Sequence, residues 1–257
     1  MEIKYGDKFK LGNHYLINGD CRDPRIIKKL LGRNQVKLIL NDVPYGINVN
    51  QSKESFVATK TKHQDITNDH FQSDKEYAQF TKEWLEAIKP CLAVKNAAYI
   101  FNSDKMIFAL RDGMLQAGFK FSELLIWVKT HSIIGRMDYL PQHELVAYGW
   151  FGTHEFLKSK DKSILIYPKP NHSKLHPTMK PIGLLRKLIL NSSRINDIVF
   201  DGFLGSGSTI LACEQTNRKC YGVELESKYC QTAIERFEKA TNIKVIKLEN
   251  GGFNEKR

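Results

Sequence analysis

Apolar runs of strand length alternate along the chain with segments in which apolar residues recur at helical spacing. Strands are predicted at residues 14–19, 36–41, 97–102, 123–129, 144–150, 197–203 and 219–225. Helices are predicted at residues 24–33, from residue 75, and at 105–118, 178–193, 207–216 and 227–241. The alternation predicts an α/β fold, a doubly wound and mostly parallel sheet with crossover helices on both faces.

The segment that begins at residue 75 has a regular helical period. Its apolar side chains share one face: Tyr77, Phe80, Trp84, Leu85, Ile88 and Leu92. A face of this kind belongs to a hydrophobic core more often than to a ligand site. We therefore predict that it is buried against the rest of the fold.

Two long stretches interrupt the alternation. Residues 48–74 are polar and have no period, and loops of that length are usually functional or disordered. Residues 151–177 hold five lysines, three histidines and three prolines without a sustained period. We predict a single domain over residues 1–257, with a mobile loop at 48–74 and an inserted basic lobe at 151–177.

Charge adds a preference for an anionic partner. The chain of 257 residues has 39 Lys and Arg against 28 Asp and Glu, a formal net charge of +11. Such an excess suits a polyanion, although many basic proteins bind no nucleic acid, so a second signal is needed. With 42% hydrophobic residues the chain has the composition of a globular protein.

The composition also excludes several classes of protein. No apolar stretch is long enough to span a bilayer, and the first residues lack the pattern of a secretory signal, so no membrane partner and a cytoplasmic location are expected. The cysteines form no CxxC pair and no metal-ligand spacing with histidines, so free thiols and no metal site are expected. They are Cys21, Cys91, Cys213, Cys220 and Cys230.

A glycine-rich turn follows the strand at 197–203. The segment "IVFDGFLGSGSTILA" runs from a strand that ends in Asp201, through Gly205 and Gly207, into a helix. Glycines at such a turn let the backbone bend tightly and approach a ligand. Glu224 follows Asp201 by 23 residues and ends the next strand, where an acid can accept hydrogen bonds from ribose hydroxyls.

The turn therefore predicts a nucleoside-bearing cofactor. A glycine turn of this type also occurs in dinucleotide-binding Rossmann folds. The segment "GSGST" has no lysine of the GK[ST] type, which disfavours ATP or GTP hydrolysis. Dinucleotides and S-adenosylmethionine both stay open at this point.

Motifs that occur together in one order resemble a known family. They are "DVPY" at 42–45, "HPTMKP" at 176–181 and "DGFLGSG" at 201–207. The set is similar to the DPPY, HPTxKP and DPFxGSG motifs of amino-group DNA methyltransferases that use S-adenosylmethionine, in the permuted order of the beta group and its phage-like branch. The resemblance covers nearly the whole chain. It implies a class I, Rossmann-like sheet of seven strands with a small target-recognition region at 151–177.

The resemblance also implies roles for individual residues. The resemblance implies catalytic roles for Asp42, Val43, Pro44 and Tyr45. Cofactor contacts fall to Asp20, Cys21, Thr178, Lys180, Asp201, Phe203, Gly205, Ser206, Gly207 and Glu224. The "GDCRD" segment at 19–23 is similar to the turn that places an acid near adenine, and "QHELVAYGW" at 142–150 to the segment before the target-recognition region.

The chemistry of such a site explains the acid at the tip of a strand. An exocyclic amine is a poor nucleophile because its lone pair is delocalised into the ring, and in duplex DNA the base must be flipped out. Hydrogen bonds from its N–H groups to the Asp42 carboxylate and a backbone carbonyl favour a pyramidal nitrogen aimed at the methyl group. Pro44 stiffens the tip, and Tyr45 offers a ring for stacking.

Two residues depart from the family pattern. Val43 and Gly202 stand where the family has prolines. The acceptor expected at position 43 is a main-chain carbonyl, which any residue supplies, so the chemistry is expected to survive while the rigidity of the tip is in question. Gly202 leaves the rest of its motif in register, so cofactor binding is still expected.

The function expected is site-specific methylation of adenine N6 in double-stranded DNA, since the acid is Asp rather than the Ser often found in cytosine-specific relatives. Cytosine-N4 methylation and a non-catalytic subunit that needs a partner are the alternatives. A homodimer and a cognate restriction enzyme stay open as partners. Phosphate contacts are expected from lysines of the two irregular segments. They are Lys53, Lys60, Lys62, Lys158, Lys160, Lys162, Lys169 and Lys174.

Overall fold

A computed structural model describes residues 2–45, 72–132, 138–158, 160–168 and 179–248. The strands in these ranges are β1 (Lys8–Leu11), β2 (His14–Asn18), β3 (Val36–Asp42), β4 (Leu92–Asn102), β5 (Phe119–Val128), β6 (His143–Phe151), β7 (Ile164–Ile166), β8 (Ile198–Asp201), β9 (Lys219–Glu224) and β10 (Ile246–Leu248). The α-helices are α1 (Pro24–Leu31), α2 (Asp74–Ile88), α3 (Ile107–Gln116), α4 (Ile182–Ser192), α5 (Ser208–Glu214) and α6 (Ser227–Thr241).

All of these strands join one sheet in the order β10-β1-β2-β9-β8-β3-β4-β6-β5-β7. The five strands from β2 to β4 in this order are parallel to one another. Strand β6 is antiparallel to β4 and β5, and β1 is antiparallel to β2 and β10. The predicted fold class is confirmed.

The strand count differs from the prediction. The seven predicted strands lie side by side from β2 to β5, and β1, β10 and β7 extend this set to ten. These additional strands contain three or four residues each, which is too short to show a period in the sequence. Strand β7 lies inside the predicted basic lobe and pairs with β5, so part of that lobe belongs to the edge of the sheet.

Helices cover both faces of the sheet. Apolar side chains of α1, α2 and α3 pack in one cluster, and those of α4, α5 and α6 pack in a second cluster. The predicted apolar face of α2 is buried, with Trp84 fully inaccessible. Leu92 is the exception, because α2 ends at Ile88 and Leu92 begins β4. Pro90, in a short 3₁₀ turn, lacks the N–H that a continued α-helix needs.

Several boundaries also move. Helix α4 begins at Ile182 rather than 178, because Pro181 has extended backbone (φ −62°, ψ 126°) and forms the N-cap. Helix α2 begins at Asp74 behind a capping box formed by Ser73 and Glu76, so the predicted loop ends one residue early. The rest of the predicted loop, residues 48–71, lies outside the described residues. No helix in the described ranges is long and apolar enough to cross a membrane.

The parallel strands place the predicted motifs at one edge. Residues Asp42, Asp201 and Glu224 end β3, β8 and β9, which are adjacent and parallel. Strand β4 ends at Asn102 on the same edge, and the antiparallel β6 begins there at His143. Ligands of doubly wound sheets bind at such a carboxyl edge.

Candidate active site

Asp42 lies at the end of β3 beside a buried lysine. The Nζ atom of Lys180 donates to Oδ1 of Asp42 at 2.6 Å and lies 3.3 Å from the Tyr45 hydroxyl. The Lys180 side chain is 6% exposed, whereas that of Asp42 is 27% exposed. Lys180 precedes α4, so the contact joins segments that are 138 residues apart in the chain.

Glu144, at the start of β6, extends this cluster. Its Oε2 lies 3.2 Å from Nζ of Lys180, and its Oε1 lies 2.8 Å from Nζ of the buried Lys129. The Tyr45 hydroxyl donates to Oε2 of Glu144 at 3.0 Å. Two carboxylates and two ammonium groups therefore alternate, which is the pairing that buried charges require. We call Asp42, Tyr45, Lys129, Glu144 and Lys180 the charge cluster.

The pairing sets the ionisation of the cluster. Burial raises the pKa of Asp42, and the Glu144 carboxylate adds to that effect, while the Lys180 ammonium opposes it. Burial would likewise raise the pKa of Glu144, but Lys180 and Lys129 outweigh it and lower the pKa to about 2. Burial would lower the pKa of Lys180, but the two carboxylates raise it. Lys180 is therefore a cation at neutral pH.

A second contact holds the tip of β3 from the side of α2. The Tyr77 hydroxyl donates to the carbonyl oxygen of Pro44 at 2.8 Å, and Nδ2 of Asn102 donates to the Tyr77 oxygen at 2.7 Å. Val43 is buried, at 2% exposure. The stiffness expected from a proline at position 43 is thus supplied by tertiary contacts around Val43 and Pro44.

Gly202 joins the two tips directly. Its N–H donates to Oδ1 of Asn41 at 3.0 Å, across the β3–β8 pair. A Cβ atom at position 202 would lie 3.2 Å from Cβ of Cys21 and from Cε1 of Phe200. A proline would lose the N–H and crowd Cys21, so the departure from the family motif fits its surroundings here.

The glycine turn after β8 positions Glu224. Gly205 and Gly207 have positive φ angles of 52° and 80°, and a Cβ atom on Gly207 would lie 3.1 Å from Cβ of Ala233. The N–H of Gly205 donates to Oε2 of Glu224 at 2.7 Å, and the N–H of Glu226 donates to Oε1 at 2.8 Å. Burial raises the pKa of Glu224 to about 7.

Asp201 is buried in the same way. It accepts a hydrogen bond from the N–H of Phe203 at 3.0 Å. Burial raises its pKa to about 7, against the opposing hydrogen bonds from Thr209 and Phe203. The ring of Phe203 meets the ring of Trp84 edge-on, with centroids 5.8 Å apart, so helix α2 supports the turn.

The remaining predicted cofactor residues have structural partners. Arg22 donates to both carboxylate oxygens of Asp20 at 2.7 to 3.1 Å. Ser206 accepts hydrogen bonds from Arg236 through its carbonyl and hydroxyl oxygens. Cys21 is buried beneath Gly202, and the predicted free state of the cysteines is confirmed. Thr178 lies outside the described residues.

The structure brings most predicted cofactor residues to one edge. The N–H of Gly19 donates to the carbonyl of Glu224, which places Asp20 beside the β9 tip. Glu224 and Asp201 are buried acids with neutral backbone donors, and within the described ranges no salt bridge reaches either carboxylate. Acceptors of this type fit ribose hydroxyls and a cationic ligand. Lys180 instead contacts Asp42, so it lies at the tip of β3.

Three of the predicted DNA-facing lysines lie in the described part of the segment that follows β6. Asp161 accepts from Lys187 and Asn191 in the second half of α4, and Glu155 pairs with Lys37 at the start of β3. Residues 151–157 therefore pass the end of the sheet opposite to Asp42, whereas residues 163–166 lie beside the end of β5, where the N–H of Ile126 donates to the carbonyl of Ser163, at the edge that holds Asp42. Lys158, Lys160 and Lys162 lie between these two parts. Lys53, Lys60, Lys62, Lys169 and Lys174 lie outside the described residues.

Sequence reasoning missed the residues that surround the tip. Glu144, Lys129, Tyr77, Asn102 and Asn41 contact the tip or its neighbour although they belong to other motifs or to none. A signal existed for two of them, because Glu144 is the first residue of one predicted strand and Lys129 is the last residue of another. Their pairing depends on the antiparallel β5–β6 register, in which Val128 lies opposite His143.

Comparison with known proteins gives the family. The model of the N6/N4 DNA methylase family matches residues 36–164 and 150–235. The type II methyltransferase M.HpaI of Haemophilus parainfluenzae is 28% identical over 240 residues, 83% of this chain and 72% of that protein.

Solved structures of DNA methyltransferases are also similar to this chain. The M1.HpyAVI complex with SAM is 26% identical with a TM-score of 0.63, and the match covers 86% of this chain and 98% of that one. The cytosine-N4-specific PvuII DNA methyltransferase shares the fold with a TM-score of 0.72 at 16% identity, over 97% and 92% of the two chains. With the family model matching most of its length, the chain belongs to the S-adenosylmethionine-dependent N6/N4 DNA methylases.

Proposed function

We propose that the protein transfers a methyl group from S-adenosylmethionine to N6 of a flipped adenine in double-stranded DNA. The observation that carries the proposal is the contact between the end of β3 and the turn that follows β8. Asp42 lies one strand away from the cofactor turn, and the hydrogen bond from Gly202 to Asn41 holds the tips together. Neighbouring strands are about 4.8 Å apart, so an amine at Asp42 lies beside a ligand of the turn.

The tip of β3 offers two acceptors for one amino group. The Asp42 carboxylate is the first, and the Val43 carbonyl is the second, since no hydrogen bond to that carbonyl occurs within the described part of the chain. Accepting both N–H groups draws the lone pair out of the ring and makes the nitrogen nucleophilic. An adenine amino group in a duplex reaches such a pocket only after flipping, which costs a few kcal/mol.

The chain holds its cofactor through the turn and the acid of β9. Glu224 would accept hydrogen bonds from the ribose hydroxyls, Asp20 would lie near the adenine, and Gly205 and Gly207 let the backbone approach. When bound, the cofactor supplies an electrophilic methyl group on a sulfonium sulfur. The buried Asp201 and Glu224 carboxylates favour a cation in this region.

The contribution of the chain to rate is mostly positional. Alignment of two reacting groups can contribute about 7 to 11 kcal/mol to lowering a barrier when the geometry is good. As the nitrogen gains its methyl group it must lose a proton, and the Asp42 carboxylate is the acceptor within reach. Asp42 is suited to this transfer because burial raises its pKa above the ordinary value.

Contacts with DNA phosphates are proposed for a groove beside α4. The groove has a volume of about 580 Å³, and its lining includes Lys158, Lys160, Arg186 and Lys187 with one acid, Asp161. Each phosphate contact contributes about 0.9 to the salt slope of binding. Replacing Lys158 and Lys160 with Gln should therefore lower the slope of log K against log salt by about 2.

The test of the function compares methyl transfer by the purified protein with that by Asp42→Ala. Each protein is incubated with radiolabelled cofactor and unmethylated DNA of varied sequence, and the digested nucleosides are separated by mass spectrometry. We expect N6-methyladenine from the wild-type protein and a loss of at least about 1,000-fold in Asp42→Ala, which removes the acceptor and proton site.

Asp104→Ala is the matched control, because this exposed acid follows β4 at the same edge. It should methylate at the wild-type rate. N4-methylcytosine as the product would correct the base while keeping the mechanism. A folded, cofactor-binding Asp42→Ala protein with normal activity would refute the role of Asp42. Absence of product with every DNA would favour a non-catalytic subunit.

A further inference from the structure

Lys180 belongs to a motif expected to contact the cofactor, yet its ammonium group is taken up by the charge cluster. It lies 2.6 Å from Asp42 and 3.2 Å from Glu144, and its side chain is 6% exposed. Its Nζ also lies 5.6 Å from the centroid of the Tyr45 ring and 5.2 Å from that of Phe101. The ammonium is thus enclosed by two acids and two aromatic rings.

Asp42 and Glu144 need a cation between them. Both carboxylates contact the same Nζ atom, so they lie close to each other at a partly buried site. Like charges at such a distance disfavour double ionisation. Lys129 contacts Glu144 on its other oxygen, which leaves Lys180 as the ammonium that Asp42 contacts within the described residues.

We propose that Lys180 is a positioning residue for methyl transfer, whose ammonium holds the Asp42 carboxylate ionised and oriented so that it can accept the amino group of the target base. The inference rests on the proposed function and deepens it. It assigns Lys180 to the nucleophile side of the reaction, whereas its motif suggested the cofactor side.

The geometry also explains how Asp42 can serve two donors. Lys180 contacts Oδ1, and the Tyr45 hydroxyl lies 3.4 Å from the same atom. The described contacts leave Oδ2 for the incoming N–H. The groups that face Asp42 are Lys180 from the segment before α4, Glu144 from β6, Tyr45 from the tip and Asp201 from β8. Lys180 is the sole cation among them.

Removing that cation should therefore change the pH dependence of catalysis. In Lys180→Met, the remaining acids and burial all favour the protonated form of Asp42. The acid limb of kcat/KM should move upward by about one pH unit or more, the size of shift that a neighbouring charge produces. At neutral pH the loss should fall on kcat, by about 10- to 100-fold, because a protonated or rotated Asp42 positions the amine poorly.

Cofactor affinity is the readout that separates the two roles of Lys180. If Lys180 positions Asp42, the dissociation constant of S-adenosylmethionine for Lys180→Met, measured by calorimetry, should stay within about twofold of wild type. A large loss of cofactor affinity with an unmoved pH profile would overturn the proposal in favour of a cofactor contact. A folded variant with unchanged activity and pH profile would overturn it outright.

Lys37→Met is the matched control. Lys37 lies on β3 with Asp42, is 14% exposed and pairs with Glu155 at 3.1 Å, so its loss tests the cost of any half-buried ion pair on this strand. Its pH profile should match wild type. Lys180→Arg keeps the charge and should retain the wild-type acid limb even where its rate is lower.

A double variant tests the electrostatic cause. Adding Glu144→Gln to Lys180→Met removes the second carboxylate, so the acid limb should move part of the way back towards wild type. No recovery, with the protein folded, would contradict the like-charge argument. These outcomes need an active wild-type protein, so failure of the proposed function shows as no methylation at any pH and is distinct from failure of this inference.

Discussion

Asp42, at the tip of β3, shares its carboxylate with the ammonium of Lys180, whereas Glu224, at the tip of β9, is held by the backbone N–H groups of Gly205 and Glu226. Both acids lie on the same edge of one sheet. Asp42 has a cationic partner within the protein. Among the described residues, Glu224 has only neutral hydrogen-bond donors, so its ionised form is an unpaired buried charge, which costs free energy.

The difference shows which part of the site is set in advance. The charge cluster has equal numbers of acids and ammonium groups, so its ionisation is determined by the fold. At the tips of β8 and β9, which hold predicted cofactor residues, burial raises the pKa of both Asp201 and Glu224 to about 7. These acids are therefore expected to respond to pH and to a bound cation, whereas ion pairs fix the charges of the β3 tip in advance.

Among these substitutions, Glu224→Gln should weaken the binding of S-adenosylmethionine the most. Loss of charged hydrogen bonds to ribose, worth about 1.5 to 3 kcal/mol, should raise the dissociation constant of S-adenosylmethionine by about 10- to 100-fold. Calorimetry at pH 8 measures the change. Glu235→Gln, at an exposed position on α6, is the control and should bind normally.

The same variant also tests how stability and cofactor affinity depend on pH. A raised pKa in the folded state means that stability is greatest below the ordinary pKa of Glu and falls as pH rises through about 7. Cofactor-free Glu224→Gln should therefore melt higher than wild type at pH 8. Wild-type cofactor affinity should weaken below about pH 7, as Glu224 takes up a proton, and a flat profile would contradict the raised pKa.

Gly202→Pro tests the junction of the tips. The substitution removes the donor to Asn41 and brings ring atoms against Cys21, so we expect a loss of about 1 to 3 kcal/mol in the free energy of unfolding. Denaturant melts measure it. A stable variant with wild-type cofactor affinity would show that the family proline is simply interchangeable with Gly202.

Tyr77→Phe tests the support of the β3 tip. The carbonyl of Pro44 and the amide of Asn102 both lose their partner, which should cost about 1 to 2 kcal/mol of stability and lower kcat by about tenfold. Cofactor affinity should stay unchanged. Tyr139→Phe, at a position 92% exposed, is the matched control. Equal kcat in both variants would contradict the role of Tyr77 in holding the tip of β3.

Val43→Pro should have the smallest effect. Position 43 contributes a carbonyl, which proline keeps, and its surroundings already fix the tip, so activity should change by less than about threefold. Steady-state methylation measures the change. Complete inactivation of a folded variant would mean that the Val43 side chain or N–H matters, contrary to the argument from its carbonyl.

The positions of seven strands along the chain and the acids at their tips were predictable, because strand period and glycine turns are local features of sequence. Asp42, Asp201 and Glu224 were found on this basis. The charge cluster was not predicted, because the register between β5 and β6 is what brings Glu144 and Lys129 close to the tip of β3. Local patterns contain no information on which residues face each other across such a pair.

The lysines of residues 151–162 show the same limit. Their abundance marked the segment as basic, but it gave no path: Glu155 contacts Lys37 at the start of β3, far from Asp42, whereas Ser163 already lies beside Ile126 near the other end of the sheet. Composition can indicate a class of partner, whereas location depends on ion pairs between distant parts of the chain. The role of these lysines in DNA binding stays a prediction.

Strand β7 sets a rule for building chimeras. Ile164, Leu165 and Ile166 align with Ile126, Trp127 and Val128 of β5, and Leu165 is 2% exposed. A recognition segment transplanted from a relative by cutting at residue 151 would remove this strand and uncover the edge of β5. A graft that begins after Ile166 keeps the paired residues of β5 and β7, so a test of the predicted target-recognition region by exchange should start from that boundary.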